Sequence, residues 1–308
     1  MLKGMWKKLT VLMLCISLSC AGVVTCLAES TTEESADEAS SLLEEAKAFL
    51  ENEDYDAAIP ILEEAARQGS AEAQNELGKC YTFGTGVEQS DEEAFKYFQM
   101  AADQGYAKSL NNVANYYATG NVVDQDDAKA FEFYKLAADQ GLPNAQCALG
   151  FYYENGIGVE QDLEEAVKYF QLAAEQGDMY AMNSLGCCYS DGIGIEQDYD
   201  KAMECYQFAA ERGDPNGIYN IGYCYYYGEG VEEDYEKALE YFREAAELGQ
   251  EGAIFMIGDC CFEGKGTEKD LKKAAEWHLK ALDAGYEPDE TDPALMKEVL
   301  SEKPEARQ

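Results

Sequence analysis

Residues 143–178 read PNAQCALGFYYENGIGVEQDLEEAVKYFQLAAEQGD, and this stretch decides the fold. Ala145, Leu149 and Tyr153 recur at four-residue spacing, one face of a helix. Gly156-Ile157-Gly158-Val159 breaks it. Asp162 is placed to cap a second helix, with Glu165 three residues on as its capping-box partner. Ala166, Tyr169, Phe170, Ala173 and Ala174 give that helix an apolar stripe, and Gly177 ends it. Gly150 lies inside the first helix, where glycine costs about 1 kcal/mol relative to alanine. Its presence predicts that two helix backbones approach closely there.

The same pattern returns along most of the chain. Gly84, Gly120, Gly156, Gly192, Gly228 and Gly264 are each 36 apart, and so are Gly105, Gly141, Gly177, Gly213, Gly249 and Gly285. Six copies therefore fill 71–106, 107–142, 143–178, 179–214, 215–250 and 251–286. A shorter relative at 41–70 keeps Asp56-Ala57-Ala58, Ala65-Ala66 and Gly69 without the glycine loop. A single amphipathic helix pair cannot bury its own stripe, so a fixed period of this length means an all-α solenoid of stacked pairs. Residues 29–40, ESTTEESADEAS, read as a disordered acidic linker. Residues 287–308 read as a C-terminal capping helix and tail, with Asp292 at the N-cap and Pro293 in the first turn.

Composition narrows the function. The 308 residues hold 23 Lys+Arg against 61 Asp+Glu, a formal charge of -38, and one histidine, His278. Such a polyanion does not neutralise phosphates, which argues against nucleic acid and against anionic membrane surfaces as partners. One histidine removes His-based metal clusters and His-dependent catalytic triads, and no cofactor or metal is expected. At the N-terminus, three lysines within residues 1–8 precede the uncharged run from Leu9 to Ala28. This reads as a secretory signal, with cleavage expected after Ala28. Lipidation at Cys20 and an uncleaved anchor are the rival readings of the same residues.

One copy carries a family pattern well: Ala181, Leu185, Gly186, Tyr189, Gly192, Gly194, Ile195, Asp198, Lys201, Ala202, Tyr206, Ala209, Ala210 and Gly213. It resembles the Sel-1-like repeat across residues 71–286, and residues 41–70 resemble a tetratricopeptide helix pair. Two loops depart from the pattern, Asn121-Val122-Val123 and the one holding Thr267. The resemblance implies a right-handed superhelix of helix pairs that binds a protein or peptide in its concave groove. It also implies an exported bacterial type.

With each copy numbered from its first residue, places 3, 7, 8 and 11 read as core. By resemblance to tetratricopeptide arrays, places 2, 5, 9 and 12 line the groove. They hold two Lys against two Glu and one Asp, a net of -1 over 24 positions, so the acidity falls elsewhere. Asn75, Asn111, Asn115 and Asn183 are candidates to grip a peptide backbone, since an amide side chain pairs with both N–H and C=O. Phe151, Tyr219, Tyr223, Tyr226, Phe255 and Phe262 are candidates for an apolar anchor site.

Other signals read as structural. The Gly-x-Gly loops follow helices rather than strands and recur in nearly every copy, so they are turns and not phosphate cradles. The acidic runs lack the ligand spacing of a helix-loop-helix calcium site. His278 reads as structural or surface. Cysteine-rich members of the family have been described as β-lactamases, but no Ser-x-x-Lys or Lys-Thr-Gly occurs here, so no enzyme is expected. Those members bridge cysteines eight positions apart, a spacing this chain lacks. Cys205 with Cys188 or Cys187 is the candidate disulfide between the helices of one copy. The expected function is an exported, monomeric, non-enzymatic scaffold for a protein or peptide. An extracytoplasmic regulator that holds a membrane sensor or envelope protein is the alternative, and a β-lactamase-like hydrolase the remote one.

Overall fold

A computed structural model describes residues 37–287. The signal segment, most of the linker and the C-terminal capping helix expected from the sequence lie outside these residues. The described chain is all-helical and divides into two compact units between Gln140 and Gly141. Unit 1 contains α1 (37–51), α2 (Tyr55–Arg67), α3 (Ala71–Phe83), α4 (Asp91–Ala102), α5 (Ala107–Thr119) and α6 (Asp127–Ala138). Unit 2 contains α7 (Pro143–Asn155), α8 (Leu163–Ala174), α9 (Met179–Asp191), α10 (Tyr199–Ala210), α11 (Pro215–Tyr227), α12 (Tyr235–Glu247), α13 (Glu251–Glu263) and α14 (Leu271–Asp283). Helix α1 begins inside the stretch expected as linker: residues 37–40 are helical, and Ala39 is buried. Within each unit the helices pack pair upon pair, the all-α solenoid that the repeat requires.

Each pair is closed by the same few hydrogen bonds. The first glycine of the loop (Gly156 in the third copy) takes the left-handed conformation at φ 65° and ends the first helix. The cap of the second helix is half of the expected box. Asp162 Oδ1 accepts from the Glu165 N–H at 3.1 Å, but the Asp162 N–H goes to the Tyr153 carbonyl at 3.0 Å. Glu165 instead pairs with Lys168. The caps Ser90, Asp126, Asp198, Asp234 and Asp270 tie back to the first helix in the same way, through their own N–H. That bond fixes the loop against the helix it leaves.

The glycine inside the first helix has a different reason from the expected one. A Cβ on Gly150 would stand 2.6 Å from the Phe170 ring. Gly78, Gly186, Gly222 and Gly258 likewise lie under Phe98, Tyr206, Phe242 and His278. The close approach is between one helix backbone and a ring from its partner, not between two backbones. Five of the six copies therefore have a ring slot over glycine, the second having Ala114 at that place, and in the last copy a histidine fills it. His278 is buried, with Nε2 3.1 Å from Asp259 Oδ1, so its role is structural and not on the surface.

The places of the first helix buried in all six copies are 3, 7, 8 and 10, with place 4 buried in five, rather than 11. Place 11 supplies the outer member of a stacked ring pair, such as Tyr153 on Tyr169 at 5.7 Å and Tyr225 on Tyr241 at 5.8 Å. The cysteines fill core positions. Cys188 and Cys205 are both free thiols in one apolar cluster with Val167 and Leu185, so the expected bridge is not formed. Cys187 is free as well, and its sulfur accepts from Asn220 Nδ2.

Candidate functional site

A first helix presents one stripe of side chains to solvent. Successive residues turn by about 100°, so places 2, 9 and 13 fall within roughly 40° of each other, and places 5 and 12 lie about 60–80° to one side. The structure shows which set faces out. Place 13 is exposed in all six copies: Phe83, Thr119, Asn155, Asp191, Tyr227 and Glu263. Place 12 is buried at Ser190 and Tyr226, and place 5 is buried at Asn75 and Phe255. The outward stripe is therefore 2, 9 and 13, and the sequence-based choice of 5 and 12 is corrected.

The reason is that places 5 and 12 meet the next copy. Asn75 is fully buried: its Oδ1 accepts from Ser109 Oγ at 2.9 Å and Asn112 Nδ2 at 3.4 Å, while its Nδ2 donates to Glu76. Asn183 Oδ1 accepts from Asn220 Nδ2 at 2.9 Å. These two amides join adjacent first helices and do not await a peptide. Asn111 is half-buried, and Asn115 is exposed with its Oδ1 accepting from the Tyr134 hydroxyl. Tyr226 is buried, donates to Glu263 at 3.0 Å and accepts from Lys265 at 3.3 Å. Phe255 is a core residue between His278 and Tyr286, at 4.6 and 4.5 Å. Phe262 is half-buried against the cluster of Ile254 and Ala281.

Of the remaining anchor candidates, Phe151 and Tyr223 stand at place 9 of the outward stripe, whereas Tyr219, at place 5, flanks it and packs on Phe242 at 5.8 Å. Phe151 is 50% exposed. Tyr219 and Tyr223 are half-buried, with ring centroids 6.2 Å apart, and Tyr223 continues to Tyr227 at 4.4 Å. Burial pushes the Tyr219 hydroxyl up, and the Tyr223 hydroxyl up to about 12. Tyr227, 52% exposed, was missed by sequence reasoning, as was Phe83, 76% exposed. Both are the last helical residue before the loop glycine, a position that the place-12 register excludes by one step.

Two hollows open along the first helices. In unit 1 a cleft of about 410 Å³ is lined by Lys79, Thr82, Phe83, Asn112, Asn115 and Asn121. It lies at the loop where Val122 stands in for glycine, and Asn121 Nδ2 donates to Asp91 there at 2.9 Å. In unit 2 a hollow of about 680 Å³ is bordered by Asn144, Cys147, Tyr180 and Arg212. Burial pushes the Cys147 thiol up to about 12, so it is a poor nucleophile. No three His, Cys, Asp or Glu side chains among the described residues are grouped to hold a metal ion. No helix among them is long and apolar enough to cross a membrane. The stripe offers aromatic faces, amides and carboxylates, the chemistry of recognition.

The Sel1 repeat family matches residues 71–106, 107–142, 143–178, 180–214, 215–250 and 252–286. Among solved structures, the chain is similar to a Sel1 repeat protein from Oxalobacter formigenes, with 28% identity and a TM-score of 0.73 over 81% of this chain and 98% of that one. It is also similar to a protective antigen present in uropathogenic Escherichia coli strains and displaying an SLR fold. There the identity is 36% and the TM-score 0.63, over 73% of this chain and 48% of that one. The chain thus spans about half the length of the antigen. A comparison with curated proteins finds no match. Sel1-repeat proteins are typically protein-interaction scaffolds, are largely non-enzymatic, and in bacteria are often exported. Six matched copies, each built as a helix pair closed by a glycine loop, make this chain a member of the Sel1 repeat family.

Proposed function

We propose that this protein is an exported, non-enzymatic scaffold that binds a segment of another protein along the outward stripe of its first helices. One observation carries this reading. Among the described residues, the strongly exposed aromatics are Phe83, Phe151, Tyr180 and Tyr227, and all four lie on first helices at places 13, 9, 2 and 13. The exposed apolar residues of the second helices, such as Met100, Leu136 and Leu172, recur at one place and are all aliphatic, with no strongly exposed aromatic among them. Aromatic side chains left in water at these places, three of them within unit 2, fit a partner that covers them.

The test is capture from an envelope extract by the full-length chain and by a Phe151→Ser, Tyr180→Ser, Tyr227→Ser variant, with the fold of each checked by circular dichroism. A partner held by the wild type and lost by the folded variant supports the stripe. Equal capture by both overturns it and moves the site to the second helices. Export is tested separately: sequencing the mature N-terminus from cells should begin at Glu29, and an intact Met1 on cytoplasmic material would reject it.

A further inference from the structure

The first helices of the two units differ in charge. Lys79 and Lys108 lie on α3 and α5, whereas α7, α9, α11 and α13 hold no lysine or arginine at all. Within that cation-free face, Tyr219, Tyr223 and Tyr227 form a continuous row along α11. Four carboxylates stand within electrostatic reach of the row. Asp191 and Glu229 act on Tyr223, Asp259 acts on Tyr219 and Tyr227, and Glu263 acts on Tyr227. Glu263 already has a cation, Lys265 at 2.7 Å. Asp259 bonds the His278 ring and Glu229 accepts from the Ser190 hydroxyl at 3.4 Å, and among the described residues neither has a lysine or arginine partner.

At several other places in this molecule, tyrosine and carboxylate come with a lysine. Lys265 lies 4.4 and 4.8 Å from the Tyr226 and Tyr235 rings and bonds Glu263. Lys168 lies over Tyr169 and pairs with Glu165, and Lys201 lies over Tyr189 and pairs with Asp198. Among the described residues no lysine or arginine stands over Tyr219, Tyr223 or Tyr227. The row therefore has the negative ring faces and the carboxylates of such a unit without its cation. A protein of formal charge -38 attracts basic segments over distance, and this row is where such a segment gains a short-range contact.

We propose that the Tyr219–Tyr223–Tyr227 row is the anchor for an arginine or lysine side chain of a basic partner segment, held over the rings with Asp191, Glu229 and Asp259 as counter-charges. The inference rests on the outward stripe being the partner-binding face and adds the chemistry of what it binds.

The probe is a fluorescein-labelled decapeptide of alternating glycine and arginine, read by fluorescence anisotropy on the full-length chain. The same peptide with citrulline for arginine removes the charge and keeps the shape. Tyr223→Leu/Tyr227→Leu keeps apolar bulk without the tyrosine rings, and Asp191→Asn/Glu229→Gln removes two charges at the row. Glu164→Gln/Glu236→Gln removes two charges from exposed sites on second helices. Each row variant should bind the arginine peptide about tenfold more weakly, and the second-helix variant less than about twofold more weakly. Equal weakening by both charge variants overturns the proposal in favour of the general field. Should the citrulline peptide bind as tightly as the arginine peptide, and lose affinity in the tyrosine variant, the partner-binding face stands and the cation falls. No measurable binding of the arginine peptide rejects the cation alone, since capture from envelope extract judges the face independently.

Discussion

Units 1 and 2 use the same helix pair and the same caps, yet they face solvent with different chemistry. On α3 and α5 the outward and flanking places carry Asn112, Asn115, Thr119, Lys79 and Lys108 with Phe83 as a lone exposed aromatic, and Lys79 is held by Glu76 at 2.8 Å. On α7 to α13 the equivalent places carry Phe151, Tyr180, Tyr223, Tyr227, Asp191 and Asp259. The interior positions change far less: leucine, valine or isoleucine at place 7 and glycine or alanine at place 8 in every copy. The period is thus enforced by packing, and the stripe is left free to differ. A partner that grips the aromatic row of unit 2 has no equivalent row in unit 1.

The largest expected effect lies in the loops. A Cβ on Gly194 would stand 2.1 Å from the Leu163 carbonyl oxygen, at φ 67°. Unit 1 has Val122 at the equivalent place with the same φ of 67°. Gly194→Val therefore adds a backbone clash to the left-handed strain, and should cost about 3 kcal/mol or more. Hydrogen exchange should show faster opening of α8 to α10 amides, with α3 to α5 unchanged. Unchanged protection across unit 2 would mean that the two loops are equally roomy.

Next in size is the difference in binding. Tyr227→Ala should weaken partner binding by about 2 kcal/mol, as hot-spot tyrosines do, and Thr119→Ala at the same place in unit 1 by less than about 0.5 kcal/mol. Titration calorimetry with the captured partner measures both. Comparable losses would spread the site over both units.

The fold was legible because its markers are absolute. A glycine at φ near 65–79° cannot drift by a residue, so Gly84 to Gly264 set every loop correctly. The outward stripe was less legible because Tyr226 and Tyr227 are neighbours separated by one step of about 100°. Which of them faces water depends on which flank meets the next first helix, and that contact is long-range. Asn75 looked available for the same reason: its partner Ser109 lies one copy away. Phe151 and Tyr223 fall on the stripe under either register because both stand at place 9, whereas Tyr219, at place 5, lies at its flank against Phe242.

A smaller difference should appear in alkali. Burial pushes the thiols of Cys188, Cys224 and Cys260 up to about 12, the Tyr223 hydroxyl up to about 12, and the hydroxyls of Tyr206, Tyr219 and Tyr226 further in the same direction. All lie in unit 2. Cys80, Tyr97, Tyr106 and Tyr116 in unit 1 shift the same way by less. A raised folded value means that the unfolded chain gives up its proton first. Stability is then full below the ordinary thiol and phenol values, near 9 and 10, and is lost as pH rises through about 12. Unit 2 should unfold first on the alkaline side, reported by Trp277 fluorescence, and Tyr223→Phe should move that onset to higher pH. An onset shared by both units would contradict this.

The smallest expected effect is a gain. Val122 holds φ 67°, where a β-branched residue crowds its own backbone, and Gly86, Gly158, Gly194, Gly230 and Gly266 take φ of 65–71° at the equivalent place without that cost. Nothing in the pair compensates through the side chain, since Val122 is 41% exposed and buries little. The loop is instead held by the Asp126 N–H on the Tyr117 carbonyl and by Asn121 on Asp91. Val122→Gly should therefore relieve about 1 kcal/mol of strain, less a few tenths for the added freedom of the unfolded chain. The readout is slower hydrogen exchange in α5 and α6, with unit 2 unaffected. If the substitution destabilises unit 1 instead, the Val122 side chain is holding the rim of the cleft, and the difference between the two units lies in packing rather than in backbone strain.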